Sequence, residues 1–362
     1  MTTTKLALRI ETIPQAELRG SVAPGTKLKF GEIFTDRMFI MRFTPQTGWT
    51  DAVIKKYGNL TLSPAAVVLH YAQEIFEGLK AYIRVDGSVG LFRARDNFER
   101  MNHSAERMCL PQLDIDFTLD ALRQLVALEK NWIPKEPGAS LYIRPTMIGV
   151  DPYVGLRSAE EVLFYIILSP VGMYYADGFN PIKIMVEEQY VRAVRGGLGA
   201  AKTGANYAAS LYPSVQAAKK GFAQVLWLDG VEQRYVEEVG SMNLFFCYGN
   251  KLVTSKLNGS ILQGITRDSI IKIAKLWKLE VEERQVDINE LVKDLASGKV
   301  TEVFGAGTAA VVSPVGLLQY KGIDYKVAKG EVGELTLKFY NYLTGIQYGK
   351  EKDPFGWTEV VG

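Results

Sequence analysis

Residues 192–210 read RAVRGGLGAAKTGANYAAS, with Lys202 set among glycines and alanines and an aromatic hydroxyl, Tyr207, five positions on. A surface lysine needs no such surroundings. A lysine that swings onto and off a bound carbonyl compound needs room around its stem, cations nearby to lower its amine pKa, and a hydroxyl to fix its geometry. Lys202 has small neighbours, with Arg192 and Arg195 upstream and Tyr207 downstream. A Gly/Ala-rich loop with an incidental lysine is the plain alternative, and the run alone leaves both readings open.

Working outward, a helix is expected from about Asn206 to Lys220, then a dense set of strands: AQVLWLDG, RYVEEVG, NLFFCYG and KLVTSK. A helix from about Thr266 to Leu279 follows, then one opened by Asp287 and Glu290 and closed at Gly298. Upstream, LKAYIRVDGSVGLFR reads as a hairpin joined at Asp86-Gly87, a dipeptide suited to positive φ. DNFERMNHSAERM reads as a helix with Asp96 as N-cap and Glu99 closing a capping box. TLDALRQLVALEKNW reads as a second amphipathic helix ending at Pro134, and ASLYIRPTMIGV and EVLFYIILSP as central strands. This order predicts an α/β chain of α+β character, with mixed or antiparallel sheets in two domains rather than one doubly wound sheet. The expected division is a smaller domain over 1–172, a Gly/Pro/Tyr-rich linker over 173–182, and a larger domain over 183–362.

Composition narrows the classes. At 362 residues, 47% hydrophobic and 23% charged, the chain is an ordinary globular one, long enough for two cores. A formal net charge of +2, without long runs of like charge, gives no case for nucleic acid or a membrane surface. Cys109 and Cys247 are far apart and fit no metal or redox spacing, and two histidines leave little for histidine-based metal chemistry. The opening MTTTKLALRIETIPQAELRG has no apolar core of a leader, and VLFYIIL is too short to span a bilayer, so a cytoplasmic protein is expected.

Three segments could hold a phosphate. Gly264-Ile265-Thr266 opens a helix, where unpaired N–H groups and the dipole favour an anion, unless Thr266 is only the N-cap. Gly305, Gly307 and Thr308 form a turn after a strand that can present an N–H nest, and Arg100 and Arg192 are candidate bidentate partners. GAGTAA also matches a degenerate dinucleotide fingerprint, but VVSPV after it reads as a strand, not the helix that motif requires. In RYVEEVGSMNLFF, alternation on a strand predicts that one of Glu237 and Glu238 faces inward, where it needs a cationic or N–H partner.

Together these stretches resemble one family: the branched-chain amino acid aminotransferases of the bacterial type, pyridoxal 5′-phosphate enzymes of fold type IV. The resemblance runs from FGEIFTDRMFIM to TGIQYGKEKDPFGW, and its most specific parts are LHYAQEIFEGLKAY, LYIRPTMIG, GGLGAAKTGANYAASL, EEVGSMNLFF, SILQGITRDS and VFGAGTAAVVSPV. It implies that Lys202 holds the cofactor aldehyde as a Schiff base and later acts as general base. It further implies that Tyr207 bonds the ring hydroxyl oxygen and Glu238 the pyridinium nitrogen. Arg100, Arg192, Ile265, Thr266 and Thr308 are implied at the phosphate and Leu262 against the ring, with Ser241, Gly264 and Gly307 completing the cofactor set. The substrate carboxylate is implied at Ala309, supported by Tyr71 and Arg144, and the aliphatic side chain in a slot of Phe30, Phe76, Tyr142 and Tyr174.

The implied reaction passes the amino group of leucine, isoleucine or valine to 2-oxoglutarate, with amino acids and 2-oxo acids as the small-molecule partners. A homodimer whose sites borrow a loop, here VDPYVGLRS, is also implied. Ala310 and Ser313 stand where some animal members carry a Cys-x-x-Cys, and Gln263 stands where proline is common. The rivals are a D-amino acid aminotransferase or an aminodeoxychorismate lyase of the same fold type, and a nucleotide-dependent oxidoreductase resting on GAGTAA.

Overall fold

The computed structural model describes residues 6–23, 25–173 and 178–361. Two compact units divide the chain: Met1–Tyr174 with Ile346–Gly362, and Tyr175–Gly345.

The first unit is built on a nine-stranded sheet. Its centre is the pair Ser140–Gly149 and Val162–Val171, antiparallel over ten residue pairs. Both strands are buried along nearly their whole length, which is why they read as continuous apolar runs rather than alternating ones. The expected hairpin forms from Leu79–Ile83 and Val89–Phe92, with Gly87 at φ +81° in the turn. Helices Ala94–Arg107 and Ile115–Leu128 pack on the sheet through Phe98, Met101, Leu122 and Leu125, all fully buried with Phe39 and Phe164 of the strands. Asp114 caps the second of these through the Phe117 N–H. The first is not capped by Asp96 as expected. Its N-cap is Arg93 in the left-handed region, and Asp96 lies in the first turn with a carboxylate oxygen 2.8 Å from the Arg93 guanidinium. That ion pair at the dipole's positive end takes the place of the capping box.

The end of the chain departs from the expected division. Thr358–Val361 adds to the first unit's sheet beside Val89–Phe92, so the second unit stops at Gly345.

The second unit also carries nine strands. Six of them form a closed circuit: Val236–Val239, Gln224–Leu228, Ile182–Val186, Val311–Tyr320, Glu302–Gly307 and Met242–Tyr248, the last pairing back to the first. Ile182–Val186 lies parallel to both of its neighbours, whereas the other pairings round the circuit are antiparallel. Closing the circuit gives each of its six strands a partner on both sides, and Val239, Leu244, Val303 and Val315 from these strands share one buried core. Met242–Tyr248 changes partner along its length, from Val236–Val239 at Met242 and Asn243 to Lys251–Ser255 from Phe245 onward.

Helices Gly204–Lys219, Ile265–Leu276 and Ile288–Ala296 lie near their expected bounds. Asp287 caps the last through the Asn289 N–H, and Gly298 follows it at φ +76°.

Candidate active site

The Lys202 run is a series of turns leading into helix Gly204–Lys219. Its small residues are used for close approach: a Cβ on Gly199 would lie 2.0 Å from the Ser260 carbonyl oxygen. Asn206, in the first helical turn, donates to the carbonyls of Leu198 and Ala201 at 2.8 and 2.9 Å and ties the loop to the helix. This scaffold sets the Lys202 amine 2.8 Å from the Tyr207 hydroxyl. The pair anticipated from their spacing is therefore made.

Glu237 and Glu238 are both buried, each about 3% exposed, although alternation predicted only one inward side chain. The reason is that each face has polar partners waiting. Glu237 accepts from Asn258 Nδ2 at 3.0 Å and from the Ser260 hydroxyl. Glu238 faces the Arg192 guanidinium and accepts from Asn243 Nδ2 at 3.2 Å. Burial pushes the Glu238 carboxyl up to about 7, against the opposing pull of the Arg192 charge; Glu237 raises it further and Lys202 lowers it. The resemblance implied a phosphate contact for Arg192. Its guanidinium instead lies on Glu238 and donates to the carbonyls of Ser260 at 2.6 Å and Gly199 at 3.3 Å, because a buried carboxylate draws the cation within reach.

Helix Ile265–Leu276 begins at Gly264 as N-cap, and no side chain caps it. Thr266 is not the cap but lies buried in the first turn, so the helix presents N–H groups and the positive end of its dipole as an anion site does. The Gly307–Ala310 turn joins two antiparallel strands, with Gly307 opposite Val311. That strand–turn–strand setting excludes the dinucleotide fingerprint, which needs a helix after the glycines. Val311 holds φ +62°, a strained setting for a β-branched residue of the kind that collects at functional turns. A Cβ on Gly307 would lie 3.0 Å from Met242 Cγ and 3.8 Å from the Ser241 carbonyl, which places Ser241, itself exposed, beside this turn.

One residue that sequence reasoning passed over joins these parts. Asn243 stands opposite Glu238 on one neighbouring strand and opposite Ala306 on the other, and its Nδ2 also donates to the Leu262 carbonyl at 3.0 Å. A Cβ on Gly264 would fall 2.0 Å from Asn243 Oδ1. Gly264→Ala is therefore expected to force Asn243 aside and to cost about 1–3 kcal/mol, measured by urea denaturation. The cue in the sequence was VGSM: a tight turn at Gly240-Ser241 pairs 239 with 242 and so 238 with 243.

The first unit holds the remaining expected residues. Arg100 is buried and forked onto Glu77, with Nε to Oε1 at 2.8 Å and Nη2 to Oε2 at 2.7 Å. Glu77, fully buried, was also passed over. Phe30 packs edge-on against Tyr142 at 4.7 Å between centroids. Arg144 lies over the Phe76 ring at 4.6 Å and donates to the Tyr142 hydroxyl at 3.0 Å. These four form one cluster, and Lys80 stands across the ladder from Tyr142, its amine lowered by burial to about 8. Tyr71 is engaged elsewhere, its hydroxyl donating to the Val154 carbonyl. Tyr174 lies outside the described residues.

Residues 74–318, from strand Glu74–Phe76 into strand Val311–Tyr320 after the Gly-Thr turn, match the amino-transferase class IV family. The chain belongs to this aminotransferase family. Among similar proteins, branched-chain-amino-acid aminotransferase 2 of Bacillus subtilis (strain 168) is 50% identical over 335 residues, covering 92% of each chain. Branched-chain-amino-acid transaminase 1 of the same organism is 51% identical over 93% of this chain and 95% of its own. The crystal structure of the Escherichia coli branched-chain amino acid aminotransferase superposes with a TM-score of 0.76 at 27% identity, covering 90% of this chain and 99% of that one. This aminotransferase therefore has the fold-type-IV architecture the sequence predicted.

Proposed function

We propose that this aminotransferase moves the amino group of L-leucine, L-isoleucine or L-valine to 2-oxoglutarate, using pyridoxal 5′-phosphate. The observation that carries the reading is the Lys202 amine on the Tyr207 hydroxyl, within electrostatic reach of a buried carboxylate at Glu238. The relatives at 50% and 51% identity, named for branched-chain amino acids, support the substrate class.

The residues present fit the cofactor. Glu238 is a buried acid held near neutrality, as suits the carboxylate partner of a ring N–H. A helix N-terminus at Gly264-Ile265-Thr266, with a glycine as its N-cap residue, suits a phosphate dianion. When bound, the cofactor supplies an electron sink for charge left at the amino acid's Cα.

The chain's own residues do the rest. Lys202 Nζ takes the Cα proton as general base and would deliver it to the cofactor's aldehyde carbon rather than back to Cα, and the Tyr207 hydroxyl keeps that amine in place between the two transfers. Glu238 would hold the protonated ring nitrogen, while Arg192 and Asn243 steady its carboxylate. Ile265 and Thr266, with Thr308, are assigned the phosphate, and Ala309 the substrate carboxylate; Arg100, like Arg192, is taken up by a buried carboxylate, here Glu77, and is not assigned the phosphate. The aromatic cluster of Phe30, Phe76 and Tyr142 is assigned the branched side chain, its rings offering apolar surface to an aliphatic group while Arg144 beside them offers a cation to the glutamate side chain.

A homodimer in the cytoplasm completes the reading. It is supported by apolar side chains left uncovered on the VDPYVGLRS segment, where Leu156 is 83% exposed and Val154 59%, and by two free cysteines that suit a reducing compartment. No helix among the described residues is long and apolar enough to cross a membrane. A panel of L-leucine, D-alanine and aminodeoxychorismate tests the substrate. Turnover of L-leucine at least tenfold above the other two is expected, and turnover of D-alanine or of aminodeoxychorismate in its place rejects the assignment.

A further inference from the structure

We propose that Asn243 is a positioning residue that ties the ring-nitrogen end of the cofactor site to its phosphate end. The inference rests on the reading of Glu238 and the 264–266 helix start given above. One amide group makes both ties: Nδ2 donates to Glu238 Oε1 at 3.2 Å and to the Leu262 carbonyl at 3.0 Å. Leu262 lies just before Gly264, the N-cap of the helix, and Gly264 has no room for a Cβ because Asn243 Oδ1 fills that space. The side chain is only 4% exposed, so both bonds are made where water does not compete.

The position is not interchangeable with its neighbours. Asn243 is where its strand leaves Glu238's strand and is about to pair with Lys251–Ser255, so it alone among the strand's residues stands opposite the carboxylate. A donor to Oε1 stabilises the ionised form of an acid that burial would otherwise neutralise. An ionised Glu238 is what a protonated ring nitrogen requires. The same amide holds the loop that sets how far the helix N-terminus lies from that carboxylate. An aspartate here would place a second carboxylate directly against Glu238, and a leucine would fill the volume while cutting both bonds.

The test compares wild type, Asn243→Leu, Glu238→Gln and the double variant as holoenzymes. Two quantities are read: the dissociation constant of pyridoxal 5′-phosphate by absorbance titration, and the isotope effect with Cα-deuterated L-leucine. Asn243→Leu is expected to weaken the cofactor about tenfold and to raise the isotope effect, because proton removal becomes slower relative to other steps. Added to Glu238→Gln, it is expected to slow the half-reaction less than twofold further while still weakening the cofactor through the lost Leu262 bond. Rate losses that simply multiply in the double variant overturn the proposal, as does a leucine variant with wild-type values of both quantities. Should Glu238→Gln alone leave rate and isotope effect unchanged, the Glu238 reading fails, and with it the tie to the ring nitrogen; a tenfold loss of cofactor in Asn243→Leu would then support the Leu262 tie alone. If the leucine variant does not fold, Asn243→Ser, whose hydroxyl is too short to reach both acceptors, is expected to show the same signs at smaller size, and wild-type values in it overturn the proposal.

Discussion

Lys202→Ala is expected to abolish transamination, with a loss of more than about 10⁴-fold in kcat, and to remove the visible absorbance of the bound cofactor. Two roles disappear with one side chain. The amine is the covalent attachment point, and it is also the base whose proton shuttling defines the reaction. Its surroundings show how specialised the position is: Tyr207 holds Nζ at 2.8 Å, and Asn206 holds the loop that presents it. The fold itself should survive, because the stem sits among turns and not in the packed interior of the six-strand circuit. Unchanged unfolding in urea together with lost turnover is the expected pairing. Retained turnover would mean that the lysine is structural.

Glu238→Gln is expected to slow the half-reaction with L-leucine about 10²-fold while changing cofactor retention far less. The same variant changes stability in a distinctive way. In the folded chain the carboxyl is raised from 4.5 to about 7, with burial as the main cause. Between those values the folded state binds a proton that the unfolded state does not. Stability of the cofactor-free chain therefore falls as pH rises from about 4.5 to about 7 and is flat above, by roughly 3 kcal/mol from this group. Glutamine has no proton to lose, so this slope is expected to vanish. The variant is not expected to be more stable at every pH, since it leaves the Arg192 charge buried without its carboxylate. Urea denaturation across pH 4.5–8 measures the slope, and an undiminished slope in the glutamine variant would place the titrating group elsewhere.

Much of the site could be read from the chain because its chemistry is local. Lys202 and Tyr207 lie within one turn of a helix start, and Gly264-Ile265-Thr266 is contiguous. The two central strands of the first sheet could be read for a similar reason, since burial on both faces leaves an unbroken apolar run. What escaped depends on residues brought from far away. The closed circuit needs Ile182–Val186 to lie between Gln224–Leu228 and Val311–Tyr320, a parallel pairing over more than a hundred residues with no local cue. Glu237 is buried because Asn258 and Ser260 come to it, and Arg100, on helix Ala94–Arg107, is fixed by Glu77, which follows strand Glu74–Phe76 more than twenty residues earlier. Asp96 was misread as a cap because a capping box and a first-turn ion pair use the same residue types one turn apart.

The central claim is that Lys202 carries a pyridoxal phosphate that cycles between amino acid and oxo acid. One measurement tests it most directly: the visible absorbance spectrum of the purified protein, recorded before and after adding L-leucine and again after adding 2-oxoglutarate. A cofactor band that leucine bleaches and 2-oxoglutarate restores is the predicted result. A colourless protein, or a band that leucine leaves unchanged, would contradict the account.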